Sequence, residues 1–280
     1  MSAVQDGIIA ADKERNSMAM RDLHLIDMHC HLDRMTNCLD VAEEASDYGV
    51  GIFCTTVTPR DTLRAKETFA HCANVRVGVG LHPWWVDGET RASGEDSDRA
   101  IEYAATMAAQ SDYIGEIGLD LSPAHEHSAA EQLAAFELIV RACAEHPRSG
   151  RVISLHAACS ANKVLDMLER YDLHRQAACI FHWFSGTSND LVRLRDLGCY
   201  ISVNERMLAT RRGREYARQM PAECLLLETD APEQLNTPHT ATQIEASLAR
   251  TLHELALIRG VNERRLCNSI AHTSSQLLGL

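Results

Sequence analysis

The stretch LIDMHCHLD (25–33) places two histidines, His29 and His31, at the end of a short run of β-forming residues. The same arrangement, an apolar run that ends in a potential metal ligand, recurs in YIGEIGLD (113–120), RVISLHA (151–157), CIFHWFSG (179–186) and CLLLETDAP (224–232). The potential ligands in these runs are Glu116, His156, His182 and Asp230. Because a barrel of parallel strands gathers its strand ends on one face, residues far apart in the sequence are predicted to meet at one site.

The regular alternation of β-like and helix-like segments predicts the fold. An amphipathic stretch at 129–146 is the clearest helix, with an apolar stripe at helical spacing. Eight strands that alternate with helices favour an α/β fold, a single-domain (β/α)8 barrel of the TIM type, over a flavodoxin-like open sheet of five or six strands. The eight β-like segments are 24–30, 51–57, 75–81, 113–119, 151–157, 179–184, 199–203 and 224–229.

The rest of the chain suggests one soluble domain with an appendage. We expect residues 1–22 to form an N-terminal extension and residues 23–280 to form the barrel, with a polar loop at 87–98 that marks no domain boundary. The N-terminus lacks the basic and apolar regions of a secretion signal, and no apolar run approaches the roughly 18–20 residues of a membrane span. The ten cysteines form no CxxC pair, so we expect reduced thiols and a cytoplasmic location.

The net charge of −12 restricts the kind of partner. Broad, sequence-independent wrapping of nucleic acid depends on many contacts between basic residues and phosphates, and an acidic chain does not favour it. A small phosphodiester held by metal ions stays compatible with this charge, and an acidic surface concentrates divalent cations near a site. The oligomeric state is left open by the sequence.

Each potential ligand also has a purely structural interpretation. Alternate residues of a strand share a face, so His29 and His31 are predicted to point together into the barrel mouth. A carboxylate inside an apolar strand, such as Glu116, costs several kcal/mol unless it is paired or bound to a metal. A lone strand histidine is more often a satisfied core group, but His156 and His182 end consecutive strands. Asp230 is suited to bind a metal and accept a proton from water.

The motifs HCHLD, GLHP, GEIGLD, LH, HWFSG and ETDAP, in that order, resemble the TatD-type metal-dependent hydrolases, a branch of the amidohydrolase-like barrels. The resemblance implies a (β/α)8 barrel, one or two divalent ions and phosphodiester cleavage, and several family members are deoxyribonucleases. It implies the same six ligands, His29, His31, Glu116, His156, His182 and Asp230, and places His82 in the substrate pocket. HWFSG is also similar to TatD-like components of Qat-type antiphage cassettes.

Departures from the family pattern affect the substrate rather than the metal chemistry. The string after His156 is AACSA, where family members commonly have an arginine and an acidic residue. Trp183 occupies a position where a small residue or cysteine is common, and the residues after ETDAP lack the usual aromatic. We also expect Trp85, in the loop after the third strand, to contact substrate by stacking.

The sequence therefore predicts a metal-dependent hydrolase in which Asp230 takes a proton from the attacking water. The expected substrate is nucleic acid or a small phosphodiester, cleaved by a nuclease of the deoxyribonuclease or exonuclease kind. With so many imidazoles, Zn²⁺ or Mn²⁺ is expected more than Mg²⁺. Two alternatives stay open: a hydrolase of a small amide, lactone or phosphoester, and a metal-bound, non-catalytic subunit of a multiprotein assembly such as an antiphage complex.

Overall fold

The computed structural model describes residues 23–86 and 97–280, and the eight strands form one parallel sheet in sequence order. The strands are β1 (Leu25–Cys30), β2 (Val50–Thr55), β3 (Val75–Leu81), β4 (Tyr113–Asp120), β5 (Arg151–Ala158), β6 (Ala177–His182), β7 (Tyr200–Val203) and β8 (Leu225–Leu227). The predicted (β/α)8 barrel is confirmed, and the open-sheet alternative is wrong.

Ten α-helices lie in the described ranges, and most of them connect one strand to the next. They are α1 (Cys38–Asp47), α2 (Pro59–Thr68), α3 (Ser97–Ala109), α4 (Ala129–Glu145), α5 (Ala161–Arg170), α6 (Ser188–Asp196), α7 (Glu205–Leu208), α8 (Arg211–Gln219), α9 (Ala241–Arg259) and α10 (Glu263–Leu278). The expected polar loop at 87–98 falls largely outside the described residues, and its last two positions belong to α3. The predicted extension at 1–22 also lies outside them. No helix in the described ranges has the length and apolar character to cross a bilayer.

Two apolar layers hold the barrel together. The outer faces of the strands pack against the helices in one continuous core. A second cluster fills the inside of the ring, and Leu278 of α10 joins it, so the C-terminal helix closes one end of the barrel. The hydroxyl of Tyr113 donates to the Leu278 carbonyl at 2.6 Å and fixes that helix to β4. The candidate site lies at the opposite end of the barrel, where the carboxyl ends of the strands meet.

Two strands that carry candidate ligands are irregular. In β4, Ile114 pairs with Ile153 but Ile117 pairs with Leu155, so β4 holds one extra residue between them. The register between β3 and β4 shows the same extra residue. In β1, three steps from Asp27 to Cys30 match two steps on β2. Bulges of this kind re-aim side chains, and here they fall at Glu116 and His29.

The barrel closes beyond the end of β8. This strand stops at Leu227, two residues earlier than the sequence pattern indicates. The following segment returns to β1 through two backbone hydrogen bonds, from Asp230 N to His29 O (2.9 Å) and from His31 N to Ala231 O (2.7 Å). Asp230 therefore lies in a loop with φ of 56° rather than in a strand.

Candidate metal centre and substrate cleft

The predicted ligands meet at the carboxyl ends of the strands, in and beneath a cleft of about 550 Å³. His29 is fully buried at the base of the cluster, whereas the other five line the cleft. The irregularity in β4 depends on a close approach to β5. A Cβ at Gly118 (φ 146°) would lie 2.1 Å from the His156 carbonyl oxygen, so only glycine lets these strands bring Glu116 against His156.

Glu116 is the centre of the cluster. Its Oε2 atom lies 3.4 Å from His29 Nε2 and 3.3 Å from His31 Nε2. Its Oε1 atom lies 2.6 Å from His156 Nδ1 and 2.8 Å from His182 Nε2. The two oxygens of one buried carboxylate thus face two different groups of imidazoles, and a cation could be held on either side of Glu116.

Asp230 completes the first of these two groups. Its Oδ1 atom lies 3.7 Å from His29 Nε2 and 3.5 Å from His31 Nε2. Four atoms therefore face one position: the Nε2 atoms of His29 and His31, Asp230 Oδ1 and Glu116 Oε2. His29 Nε2 and Glu116 Oε2 are buried and have no hydrogen-bond partner among the described residues. An unsatisfied buried polar atom costs about 1–3 kcal/mol, and a cation at this position would satisfy both atoms, so the donors fit a divalent metal.

The far sides of the two histidines of the HxH pair are fixed by neighbours. His31 Nδ1 donates to the Thr55 carbonyl at 2.7 Å, which leaves the Nε2 lone pair directed at the cluster. His29 Nδ1 lies 2.7 Å from the Ser154 hydroxyl. Partners of this kind set the tautomer and orientation of metal-binding histidines. The sequence analysis missed Ser154, although a polar residue two positions before His156 on the same apolar strand was a signal for it.

His82 lines the cleft, as the family resemblance implies, and also approaches the cluster. Its Nε2 atom lies 3.4 Å from Glu116 Oε1, and its Nδ1 atom accepts a hydrogen bond from Trp84 N at 3.2 Å. Burial lowers the pKa of His82 to about 4, so the ring is neutral. A neutral ring that accepts at Nδ1 carries its proton at Nε2, and His82 is therefore suited to donate to Glu116 rather than to bind a metal.

The titration behaviour of the cluster matches a site for positive charge. Burial raises the pKa of Glu116, but the imidazoles of His82, His182 and His29 outweigh it and hold that pKa well below the usual range. Burial lowers the pKa of His29 to about 4, so this ring is neutral and has a lone pair to offer. Burial also lowers the pKa of His31, but Asp230 and Glu116 outweigh this effect and raise it to about 9. The carboxylates thus attract a cation or, in its place, a proton.

Two buried carboxylates that the sequence analysis did not assign hold the site in shape. Asp27 accepts from the backbone N–H groups of His29 (3.2 Å) and Thr229 (3.0 Å), and so ties β1 to the loop that carries Asp230. Glu228 accepts from Trp183 N (3.0 Å) beside His182. β8 ends before Glu228 and Asp230. Glu228 Oε1 nevertheless lies 3.8 Å from His182 Nδ1, beneath the cleft.

Three tryptophans form walls of the cleft, together with two arginines. Trp84 is fixed, because its Nε1 donates to Asp120 at 2.8 Å and its ring stacks on His125 with centroids 4.6 Å apart. Asp120 therefore positions Trp84. Trp85, the predicted substrate contact, lines the cleft with the Arg34 guanidinium 5.8 Å from its ring centroid.

Comparison with known proteins identifies the family. The family model described as TatD related DNase matches residues 26–279. The chain is 31% identical over 253 residues to the 3'-5' ssDNA/RNA exonuclease TatD of Pantoea ananatis, covering 86% of this chain and 92% of the relative. It is 28% identical over 245 residues to the uncharacterized metal-dependent hydrolase YjjV of Escherichia coli, covering 82% and 91%.

Solved structures agree on the fold. The crystal structure of YjjV, a TatD homologue from Escherichia coli, superposes with a TM-score of 0.75 at 23% identity, covering 92% of this chain and 99% of that one. A TatD-family hydrolase from Entamoeba histolytica superposes with a TM-score of 0.71 at 16% identity, covering 91% and 97%. The resemblance seen in the ordered motifs is confirmed, and with it the prediction of a metal-dependent hydrolase: the chain belongs to the family of TatD-related DNases.

Proposed function

We propose that this protein is a divalent-metal-dependent phosphodiesterase that removes nucleotides from an end of single-stranded nucleic acid. The observation that supports this most directly is the position of Glu116, whose two buried oxygens face two separate groups of imidazoles. Paired metal sites that share a carboxylate are typical of enzymes that cleave phosphodiesters. The relatives named as 3'-5' ssDNA/RNA exonucleases support the same substrate class.

The proposed ligands divide into two groups that share Glu116. His29, His31 and Asp230 would hold one ion with Glu116 Oε2, and His156 and His182 would hold a second with Oε1. Six ligands exceed what one four-coordinate ion needs, so one to two ions per chain are expected. The many imidazole nitrogens suit Zn²⁺ or Mn²⁺ better than Mg²⁺.

The residues of the site have distinct parts in the proposed reaction. When bound, divalent cations here would lower the pKa of a water and offset charge on the phosphoryl group. Asp230 is the proposed proton acceptor. Burial raises its pKa, but His31 and the neighbouring imidazoles lower it to about 2, so the carboxylate is ionised at neutral pH. Its oxygen takes the proton as the water oxygen bonds to phosphorus and the P–O bond to the leaving nucleotide breaks. His82 and Glu228 hold Glu116 and Trp183 in place.

A panel of substrates tests this function against the two alternatives. We expect turnover of bis-p-nitrophenyl phosphate and of a single-stranded oligonucleotide, and none of a carboxylic ester or a dipeptide. Turnover of the ester or dipeptide alone would contradict the proposal and favour a small-molecule hydrolase. The second alternative, a non-catalytic subunit, rests on one observation: Ala157 and Ala158, directly after His156, provide no basic side chain for a substrate phosphate. Stoichiometric oligonucleotide binding without any turnover would favour it.

Removing the HxH pair is expected to remove one metal ion. In His29→Ala/His31→Ala, the position bounded by Glu116 Oε2 and Asp230 loses both imidazole nitrogens, whereas the group at Oε1 stays complete. Metal analysis of the purified protein should show about one ion fewer per chain than wild type. A matched control is His71→Ala/His272→Ala, which removes two exposed histidines. Equal metal content in the two double variants would show that His29 and His31 do not bind metal.

Trp85→Ala is expected to weaken substrate binding with little effect on folding. A base stacked on an aromatic ring contributes about 1–3 kcal/mol, so KM for an oligonucleotide should rise about tenfold or more. The comparison variant is Trp84→Ala, which removes the hydrogen bond to Asp120 and the stack on His125 and should lower Tm. A large loss of Tm in Trp85→Ala with unchanged KM would assign Trp85 to packing instead.

A further inference from the structure

A second cleft adjoins the metal cleft. It encloses about 530 Å³ between the loop after β8, the start of α9 and the turn after β7. Arg206, Pro232 and Glu233 line both clefts and form the border between them. Hydroxyl and amide groups of Thr242, Gln243 and Ser247 line its far wall. A polymer that enters the metal cleft and passes over this border would place its next unit in a polar space.

Only Arg34 and Arg206 supply guanidinium groups among the described residues that line the metal cleft, and their partners differ. Arg34 donates at 2.6 Å to Asp61, a buried carboxylate, and its own side chain is 16% exposed. Arg206 donates at 2.6 Å to Glu233, whose side chain is 79% exposed. Exposed ion pairs contribute little to stability, so Arg206 can exchange Glu233 for an incoming anion at little cost. Arg34 is held in place by its buried partner.

Trp183 fixes Arg206 at the border. The Arg206 guanidinium carbon lies 5.3 Å from the centroid of the Trp183 ring, within the range of a cation–π contact. The Trp183 backbone is itself held, because its N–H donates to buried Glu228 at 3.0 Å and its φ is 39°. Trp183 directly follows His182, a proposed metal ligand. The guanidinium therefore lies against the residue that follows a proposed metal ligand, at the border between the two clefts.

We propose that Arg206 contacts the first phosphate beyond the scissile one, and that the second cleft binds the nucleotide on the far side of that phosphate. This subsite rests on the proposed function. The scissile phosphate lies at the metal centre, the next phosphate of the chain meets Arg206 at the border, and the sugar and base beyond it enter the polar space of the second cleft. Glu233 competes with that phosphate for Arg206 and limits the affinity.

Binding and hydrolysis measured together test the subsite. The variants are Arg206→Ala, Glu233→Gln and the double variant, with Arg170→Ala as control, because Arg170 is an exposed arginine paired with Glu137 and lines neither cleft. The ligands are fluorescein-labelled octathymidylate, followed by anisotropy, and bis-p-nitrophenyl phosphate, which has one phosphate and no neighbouring nucleotide. Hydrogen bonds to charged groups contribute about 1.5–3 kcal/mol.

We expect Arg206→Ala to raise Kd for octathymidylate about tenfold or more, and at least fivefold beyond any rise in KM for bis-p-nitrophenyl phosphate. Glu233→Gln should lower Kd, and that gain should disappear when Arg206 is also alanine. Arg170→Ala should match wild type.

An unchanged Kd in Arg206→Ala, or equal effects on both ligands, would overturn the subsite while leaving the proposed function standing. Wild-type protein that binds octathymidylate through Arg206 but cleaves neither substrate would overturn the function and support the subsite. Wild type that binds no octathymidylate would overturn the subsite.

Discussion

Glu116→Gln is expected to abolish hydrolysis and to remove bound metal from both groups of ligands. The side chain keeps its size, but the negative charge that faces five imidazoles disappears. Metal ions contribute several kcal/mol to stabilising the charge of a phosphoryl transition state, so activity should fall at least about a thousandfold. Turnover of bis-p-nitrophenyl phosphate and metal content, measured on the same sample, check this result.

A second buried carboxylate provides the control for Glu116→Gln. Glu228 is as buried as Glu116, but it approaches only one proposed ligand, with Oε1 3.8 Å from His182 Nδ1, and it accepts from Asn204 Nδ2 at 2.7 Å and Trp183 N at 3.0 Å. Glu228→Gln should therefore keep most of its metal. Circular dichroism should show intact secondary structure in both variants. Full metal content and activity in Glu116→Gln would contradict the bridging role.

Asp230→Asn is expected to lower activity at least about a hundredfold, because a general base contributes about 10²–10⁴-fold. Asparagine keeps one coordinating oxygen and tolerates the left-handed backbone at this position (φ 56°), so the fold should be retained. The change removes the charge that faces His29 and His31 and the capacity to accept a proton. The measurement is kcat for a phosphodiester, with circular dichroism as the check on folding.

A structural role for Asp230 predicts a different outcome. Aspartate is favoured where it caps a turn or helix, and asparagine substitutes there almost without cost. Under that role, activity and stability would both stay near wild type. Near-normal phosphodiester hydrolysis by Asp230→Asn would exclude Asp230 as the proton acceptor, whatever the metal content proved to be.

The barrel was predictable from the sequence because its strands are buried on both faces. Such strands appear as short apolar runs, and most of the predicted segments match the observed strands within one or two residues at each end. The candidate ligands were predictable for a related reason. A histidine or carboxylate at the end of an apolar run is costly to bury unless it has a partner, and the partner is supplied when all strand ends meet.

The details that shape the site were not visible in the same pattern. The extra residues in β1 and β4 re-aim His29 and Glu116, and a period of two along the strand carries no sign of them. The last strand looked longer than it is, because the apolar run CLLL continues into a loop that turns back to β1. Asp27 accepts a hydrogen bond from the backbone N–H of Thr229, which lies 202 positions later in the sequence. Local residue spacing cannot predict a contact between residues so far apart.

Several residues that depart from the family pattern lie in the wall of the metal cleft. Ala157 and Ala158 leave the wall of the cleft beside His156 without a basic group. Trp183, another departure, instead contacts Arg206 at the border between the two clefts. If the proposed subsite is correct, this chain contacts its substrate backbone from the loops after β6 and β7 rather than from the strand that carries His156.

The central claim is that hydrolysis depends on divalent ions held by this group of ligands, and a metal titration tests it most directly. Protein depleted with a chelator and dialysed free of it would be titrated with Mn²⁺ while the release of nucleotides from a single-stranded oligonucleotide is followed. We predict no measurable release without metal, and activity that rises with added Mn²⁺ and saturates at one to two equivalents per chain. Undiminished nucleotide release by the metal-free protein in the presence of chelator would contradict the account.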